Sequence, residues 1–152
     1  MCRNKHLVRR ALNKDRRMPN PRNSKRFNIW MPLKERIHFT GRKWEFREKE
    51  IWWMAMGENV GTEVNGKGDS FSRPVLIIRK YGPGGFFGVP LSSQIHKGMW
   101  YITFKSRGRE QCALLSQAGS FCSYRLYGFI GRISKKDYRR VIIGLEKLLF
   151  KK

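Results

Sequence analysis

The chain has 152 residues, 33 Lys and Arg against 11 Asp and Glu, and a formal net charge of +22. That length supports one domain with a real core, burying about 68–70% of its unfolded surface, and leaves little room for a second. The charge points to an anionic partner, nucleic acid first and an anionic membrane surface second.

The basic bias is not confined to a tail, because residues 51–152 alone carry 17 Lys and Arg against six Asp and Glu. No apolar run approaches the roughly 18 residues of a transmembrane helix, and no apolar core of a signal peptide follows the basic N-terminus, which predicts a cytoplasmic protein. The cysteines Cys2, Cys112 and Cys122 are odd in number and lack C-x-x-C spacing, which argues against a disulfide framework and a zinc site. His6, His38 and His96 are scattered, so no bound metal and no cofactor is expected.

Residues 1–26 alternate Lys and Arg with Asn, Ser and Pro and hold few apolar side chains, which predicts a disordered basic arm. Two other readings stand beside it: an organellar transit peptide, and a start assigned too far upstream, with Met18 or Met31 the true one. Residues 27–152 form the predicted domain. Leu33 to Ile37 has helical spacing and predicts a short helix after Pro32.

Short β-branched and aromatic runs follow: Ile51–Met56, Val75–Ile78, Phe86–Leu91, Trp100–Phe104, Cys112–Leu115 and Phe129–Ile133. Turn-forming residues such as Asn65-Gly66 and Gly82-Pro83-Gly84-Gly85 separate them, the pattern of a small closed or nearly closed antiparallel sheet. From Ser134 the apolar period changes to three and four, through Tyr138, Val141, Ile142, Leu145, Leu148 and Leu149. This predicts an amphipathic helix near 134–150, started by a capping-box-like Ser134-Lys135-Lys136-Asp137 and weakened at Gly144 by about 1 kcal/mol relative to Ala.

Three elements recur in an order that carries information: Gly61-Thr62-Glu63, Arg73-Pro74 at a strand start, and Val89-Pro90-Leu91-Ser92-Ser93. With Ala113-Leu114-Leu115-Ser116-Gln117 and Gly131-Arg132-Ile133-Ser134, this layout resembles the PemK/MazF family of toxin–antitoxin ribonucleases. The resemblance implies a mainly β fold with a C-terminal helix, a small SH3-like β-barrel of five to seven strands. It also implies a metal-independent endoribonuclease toxin that cuts single-stranded RNA, forms a homodimer and is silenced by an acidic antitoxin. A non-catalytic RNA-binding or ribosome-associated barrel, and a topoisomerase-poisoning toxin of the same fold, are the rival readings.

Metal-free RNA cleavage by the 2′-OH requires a base, a proton for the leaving oxygen and donors for a doubly anionic transition state. Arg73 is the best cation, since its fork matches phosphate oxygens and Pro74 biases it toward extended backbone. By residue type alone an arginine there is more often paired with a carboxylate; the resemblance assigns it to catalysis. Glu63 is implied as general base or as the orienter of Arg73, although a loop glutamate is ordinarily just solvated. Ser93 offers a hydroxyl to phosphate, with Ser92 the alternative.

Gln117 stands where some relatives place it after an Asp, and here Ser116 removes that acid. Gln117, Ser92, Lys67, Arg79 and Lys97 are the expected RNA contacts, and His96 is an outside candidate for proton transfer. Trp52, Trp53, Phe86, Phe87, Trp100, Tyr101 and Phe121 are candidate base-stacking rings, of which most must be core, with one of each adjacent pair free to face out.

Overall fold

A computed structural model describes residues 25–150. The expected arm therefore lies outside the described residues up to position 24, as do Cys2, His6, Lys151 and Lys152. In chain order the elements are helix α1 (Phe27–Thr40), strands β1 (Glu50–Ala55), β2 (Ser72–Lys80), β3 (Gly85–Ser92), β4 (Tyr101–Ser106), β5 (Arg109–Leu114), β6 (Gly119–Cys122) and β7 (Leu126–Arg132), and helix α2 (Lys135–Leu149). Short 3₁₀ turns at Leu115–Gln117 and Ser123–Arg125 flank β6.

All strand pairs are antiparallel, in the order β4-β5-β3-β2-β1-β7, with β6 paired to β3. The sheet is strongly bent but not closed, since β4 and β7 are not paired to each other. Alternation along the strands delivers side chains to two cores. One, between the sheet and α2, contains Ile51, Leu76, Val89, Leu91, Phe104, Val141 and Leu145. The other, on the opposite face, contains Phe46, Trp52, Met54, Val75, Ile77, Phe86 and Leu126. The adjacent pair Trp52 and Trp53 splits accordingly, with Trp52 buried and Trp53 40% exposed.

α2 forms as its sequence predicts. Ser134 Oγ accepts from Asp137 N at 3.0 Å and satisfies one of the orphan donors of the first turn. Gly144, a weak point by propensity, has a packing reason: a Cβ there would stand 2.7 Å from the Leu115 side chain. The glycine lets the helix approach the 3₁₀ turn that ends in Gln117.

Two expectations need correction. The helix before β1 is 14 residues long, not a short piece after Pro32, and Pro32 lies inside it. Interior proline costs a helical hydrogen bond, so local pattern argues for a later start. Tertiary packing decides otherwise: Trp30, Leu33 and Ile37 share one face and cluster with Ala55 and Phe71.

The second correction concerns Lys25 and Arg26, read as part of a solvated arm. Arg26 donates to Asp69 at 3.2 Å and to Gly68 O at 2.6 Å, and its guanidinium lies 4.4 Å from the Phe71 ring centroid. Both residues also approach Glu58, at 3.8 and 3.9 Å. The acids that hold them lie more than thirty residues away in sequence, so no local pattern announces them.

Candidate functional site

Arg73 is the second residue of β2, opposite Met54 of β1. It is half-buried. Its Nε donates to Asn65 O at 2.9 Å and its Nη1 to Leu91 O at 3.2 Å, which uses two of the five N–H donors of a guanidinium. Among the described residues it forms no ion pair. Burial pulls its pKa down from the ordinary arginine value, the mark of a cation partly stripped of water. Two carbonyls thus fix the fork in place without neutralising it.

Arg73 also lines a cavity of about 400 Å³, with Trp53, Lys67, Gly68, Ser70, Ser72, Pro74, Leu91, Ser92, Ser93 and Tyr127. Three of the sequence-predicted site residues are thereby brought to Arg73. Ser93 is exposed at the end of β3, Ser92 is buried with its Oγ accepting from Gln94 N at 3.1 Å, and Lys67 is exposed. Trp53 and Tyr127, 40% and 45% exposed, add two aromatic walls. Among the described residues neither a carboxylate nor an imidazole lines this cavity.

The segment from Gly57 to Phe71 forms the far wall, and it is clamped rather than loose. Asn65 is its pivot: its carbonyl accepts from Arg73 Nε and its Oδ1 accepts from Asn59 N at 2.6 Å. Gly66 passes so close to Phe71 that a Cβ would meet the Phe71 carbonyl, which only glycine permits. Val64 N donates to Gln117 Oε1 at 2.9 Å, and Gln117 Nε2 donates back to Thr62 O at 3.4 Å.

That clamping decides the place of Glu63. Its Oε2 accepts from Val60 N at 3.1 Å, closing its own turn, and it lines a second cavity of about 460 Å³ with Met56, Asn59, Val64, Gln117, Ser120, Phe121, Cys122 and Arg125. The structure does not bring Glu63 or Gln117 into the cavity of Arg73. The bonds to Gln117 draw this end of the segment toward the 3₁₀ turn, on the other side of Asn65.

The other expected contacts are dispersed. Arg79 stands six residues along β2 from Arg73, roughly 20 Å at the rise of a strand, and is 3.7 Å from Glu48. Lys97 is exposed in the β3–β4 connection. His96 stacks on Tyr101 with ring centroids 5.0 Å apart and lines neither cavity. Among the described residues no group of three or more His, Cys, Asp or Glu is placed to hold a metal ion.

Sequence reasoning missed Tyr127 and Arg125. Tyr127 carries an available signal, because Leu126-Tyr127-Gly128-Phe129 alternates in the way of a strand, yet the run was started at Phe129. Arg125 gives none: it sits in a 3₁₀ turn between two short strands, and its partners, Ala55 O at 2.9 Å and Met56 O at 3.3 Å, are some seventy residues away.

The seven-stranded antiparallel sheet with its C-terminal helix is a MazF-like fold. Among solved structures the chain is similar to MazF from Deinococcus radiodurans, with a TM-score of 0.58 at 16% identity, covering 70% of this chain and 97% of that one. It is also similar to the MazE–MazF complex from the same organism, with a TM-score of 0.54 at 15% identity, covering 70% and 97%. A third likeness is to an endoribonuclease in complex with its cognate antitoxin from a mycobacterial species, with a TM-score of 0.53 at 9% identity, covering 69% and 95%. No family model and no curated protein matches the sequence. Among the described residues no helix is long and apolar enough to cross a membrane.

Proposed function

We propose that this chain is the toxin of a toxin–antitoxin pair, a cytoplasmic endoribonuclease that cuts single-stranded RNA at the Arg73 cavity without a metal ion. One observation carries the reading. A half-buried guanidinium is held by two backbone carbonyls and, among the described residues, by no carboxylate, and it lines a cavity of nucleotide size rimmed by hydroxyls. A cation in that state gains most from an anionic ligand, and its preorganised donors favour a phosphate whose charge is rising. The MazF-like fold supports the same reading, by analogy of fold alone.

In this reading the 2′-oxygen of the bound nucleotide attacks its own 3′-phosphorus and the bond to the 5′-oxygen of the next nucleotide breaks. The products are a 2′,3′-cyclic phosphate and a free 5′-hydroxyl. Arg73 donates to the non-bridging oxygens as they become doubly anionic, and Ser93 adds a hydroxyl donor. Lys67 adds a second cation at the phosphate, the 2′-OH proton passes to solvent, and the departing 5′-oxygen takes a proton from solvent. Trp53 and Tyr127 supply ring faces for the flanking bases, which suits a single strand because every base has a π-face. The protein works as a two-fold dimer, and an acidic antitoxin blocks it by covering the same cationic cavity.

Purified protein is incubated with a single-stranded RNA and the matching DNA in chelator. RNA cut to 2′,3′-cyclic or 3′-phosphate ends, with DNA intact, is expected. Cleavage abolished by chelator and restored by a divalent ion contradicts the mechanism. Because the cavity lacks a carboxylate and an imidazole, a non-catalytic RNA-binding module is the second reading, and RNA bound tightly but left uncut decides for it.

A further inference from the structure

The second cavity shares with the first an arginine held by backbone carbonyls, and differs from it in holding a carboxylate, Glu63. Arg125 forms its cationic wall, donating only through Nη1, to Ala55 O and Met56 O. It is in no ion pair among the described residues. Burial pulls its pKa down, against an opposing pull from Cys122. Met56 and Phe121 make the cavity partly apolar, and Glu63 and Gln117 line it as well. The Gln117 amide is committed to Val64 N and Thr62 O, which leaves Arg125 and Glu63 as the charged groups facing the space.

Along the chain, Asn65 and Gly66 separate Val64 of the second cavity from Lys67 of the first. Asn65 bonds Arg73 with its carbonyl and, with its side chain, the backbone of Asn59, which lines the second cavity. The segment thus carries an arginine-lined cavity on the chain to either side of Asn65 and Gly66.

We infer that the cavity formed by Arg125, Glu63 and Phe121 is a second nucleotide subsite, in which Arg125 takes a phosphate of the bound RNA and Glu63 reads a base edge. The inference rests on the RNA-directed reading above and gives Glu63 a specificity role in place of proton transfer. A nucleotide suits this pair of charges. Its phosphate offers acceptors to the guanidinium, and the amino and imino groups of a splayed base offer donors to the carboxylate. An acidic peptide brings only carboxylates to the same space and meets the repulsion of Glu63.

The test uses the full chain and short 2′-O-methyl oligonucleotides of each base, which bind but have no 2′-OH to react. Binding is followed by anisotropy over a salt series. Arg125→Gln keeps an amide near the two carbonyls and removes the charge; it is expected to lower the slope of log affinity against log salt by about 0.7, the share of one single-strand phosphate contact. Glu63→Gln is expected to change the ranking of the four bases. Cys122→Trp fills the cavity from an exposed position while leaving the charges of Arg125 and Glu63 in place, and is expected to cost about tenfold in affinity, one stacked base.

Should Arg125→Gln unfold, as read by circular dichroism, Cys122→Trp and Glu63→Gln still decide. Wild-type salt slope, base ranking and affinity in the folded variants overturn the subsite. So does loss of poly-glutamate binding by Cys122→Trp with oligonucleotide binding unchanged, which assigns the cavity to a protein partner. If wild type leaves natural RNA uncut while these binding changes occur as expected, the nuclease reading falls and the subsite stands.

Discussion

Glu50 and Arg73 are two charges withdrawn from water on neighbouring strands, at opposite ends of the β1–β2 pairing, and the fold treats them in opposite ways. Glu50 is 6% exposed, and every side of its carboxylate is answered: Oε2 accepts from Arg47 N at 2.9 Å and Trp52 Nε1 at 3.0 Å, and Oε1 from Arg132 Nη2 at 3.0 Å. Desolvation alone raises its pKa, but these donors outweigh it and hold the carboxyl below its usual range. Arg73 is held as firmly, by carbonyls, which fix position and leave the positive charge uncompensated. A buried charge with a full set of partners belongs to the scaffold. One that is positioned but not neutralised is available to a ligand.

The largest expected effect comes from removing what lies beneath the Arg73 cavity. Trp30 is 4% exposed and packs on Phe71 with ring centroids 5.5 Å apart, under the segment that Asn65 pins to Arg73. Trp30→Ala should cost about 3–5 kcal/mol in denaturant unfolding, and a chain begun at Met31 should be destabilised for the same reason. A loss below about 1 kcal/mol would show that the helix is not part of the core.

Glu50→Ala sharpens the comparison from the paired side. It leaves the Arg47 amide and the Trp52 indole without an acceptor, and should cost about 1–3 kcal/mol. Because the folded pKa of Glu50 is lowered, its contribution to stability is full above the ordinary carboxylate range and is lost as pH falls through the lowered value. Wild type should therefore lose stability relative to Glu50→Ala on acidification, and parallel curves for the two would remove the assignment. The smallest effect is at the rim. Ser93→Ala should slow cleavage by about ten- to a hundredfold, the worth of a hydrogen bond to a charged group, while Ser93→Thr keeps most of the rate.

The fold was legible wherever burial follows a local period. β1 to β5, β7 and α2 are in place because alternation and the three-four spacing survive in the sequence, and β6 was missed because Gly119-Ser120-Phe121-Cys122 is too short and polar to alternate visibly. Of the expected site, Arg73, Ser92, Ser93 and Lys67 share one cavity, since Arg73-Pro74 starts a strand and Ser92-Ser93 ends its neighbour. The association of Glu63 with Arg73 depended on the path of the sixteen-residue connection between Ala55 and Ser72, which is set by Asn65, Gln117 and Arg26 across the fold. Residue types along the chain carry no record of such bonds.

The central claim is that a positioned, unneutralised guanidinium at position 73 promotes RNA cleavage. Arg73→Gln keeps an amide about where Nε donates to the Asn65 carbonyl and removes the charge, so the rate of single-turnover cleavage under saturating RNA reports chiefly on that charge. The account predicts a fall on the order of 10²- to 10³-fold, the effect of losing a preorganised donor to a developing oxyanion, with unfolding free energy changed by less than about 2 kcal/mol. A rate near wild type in the folded variant would contradict it.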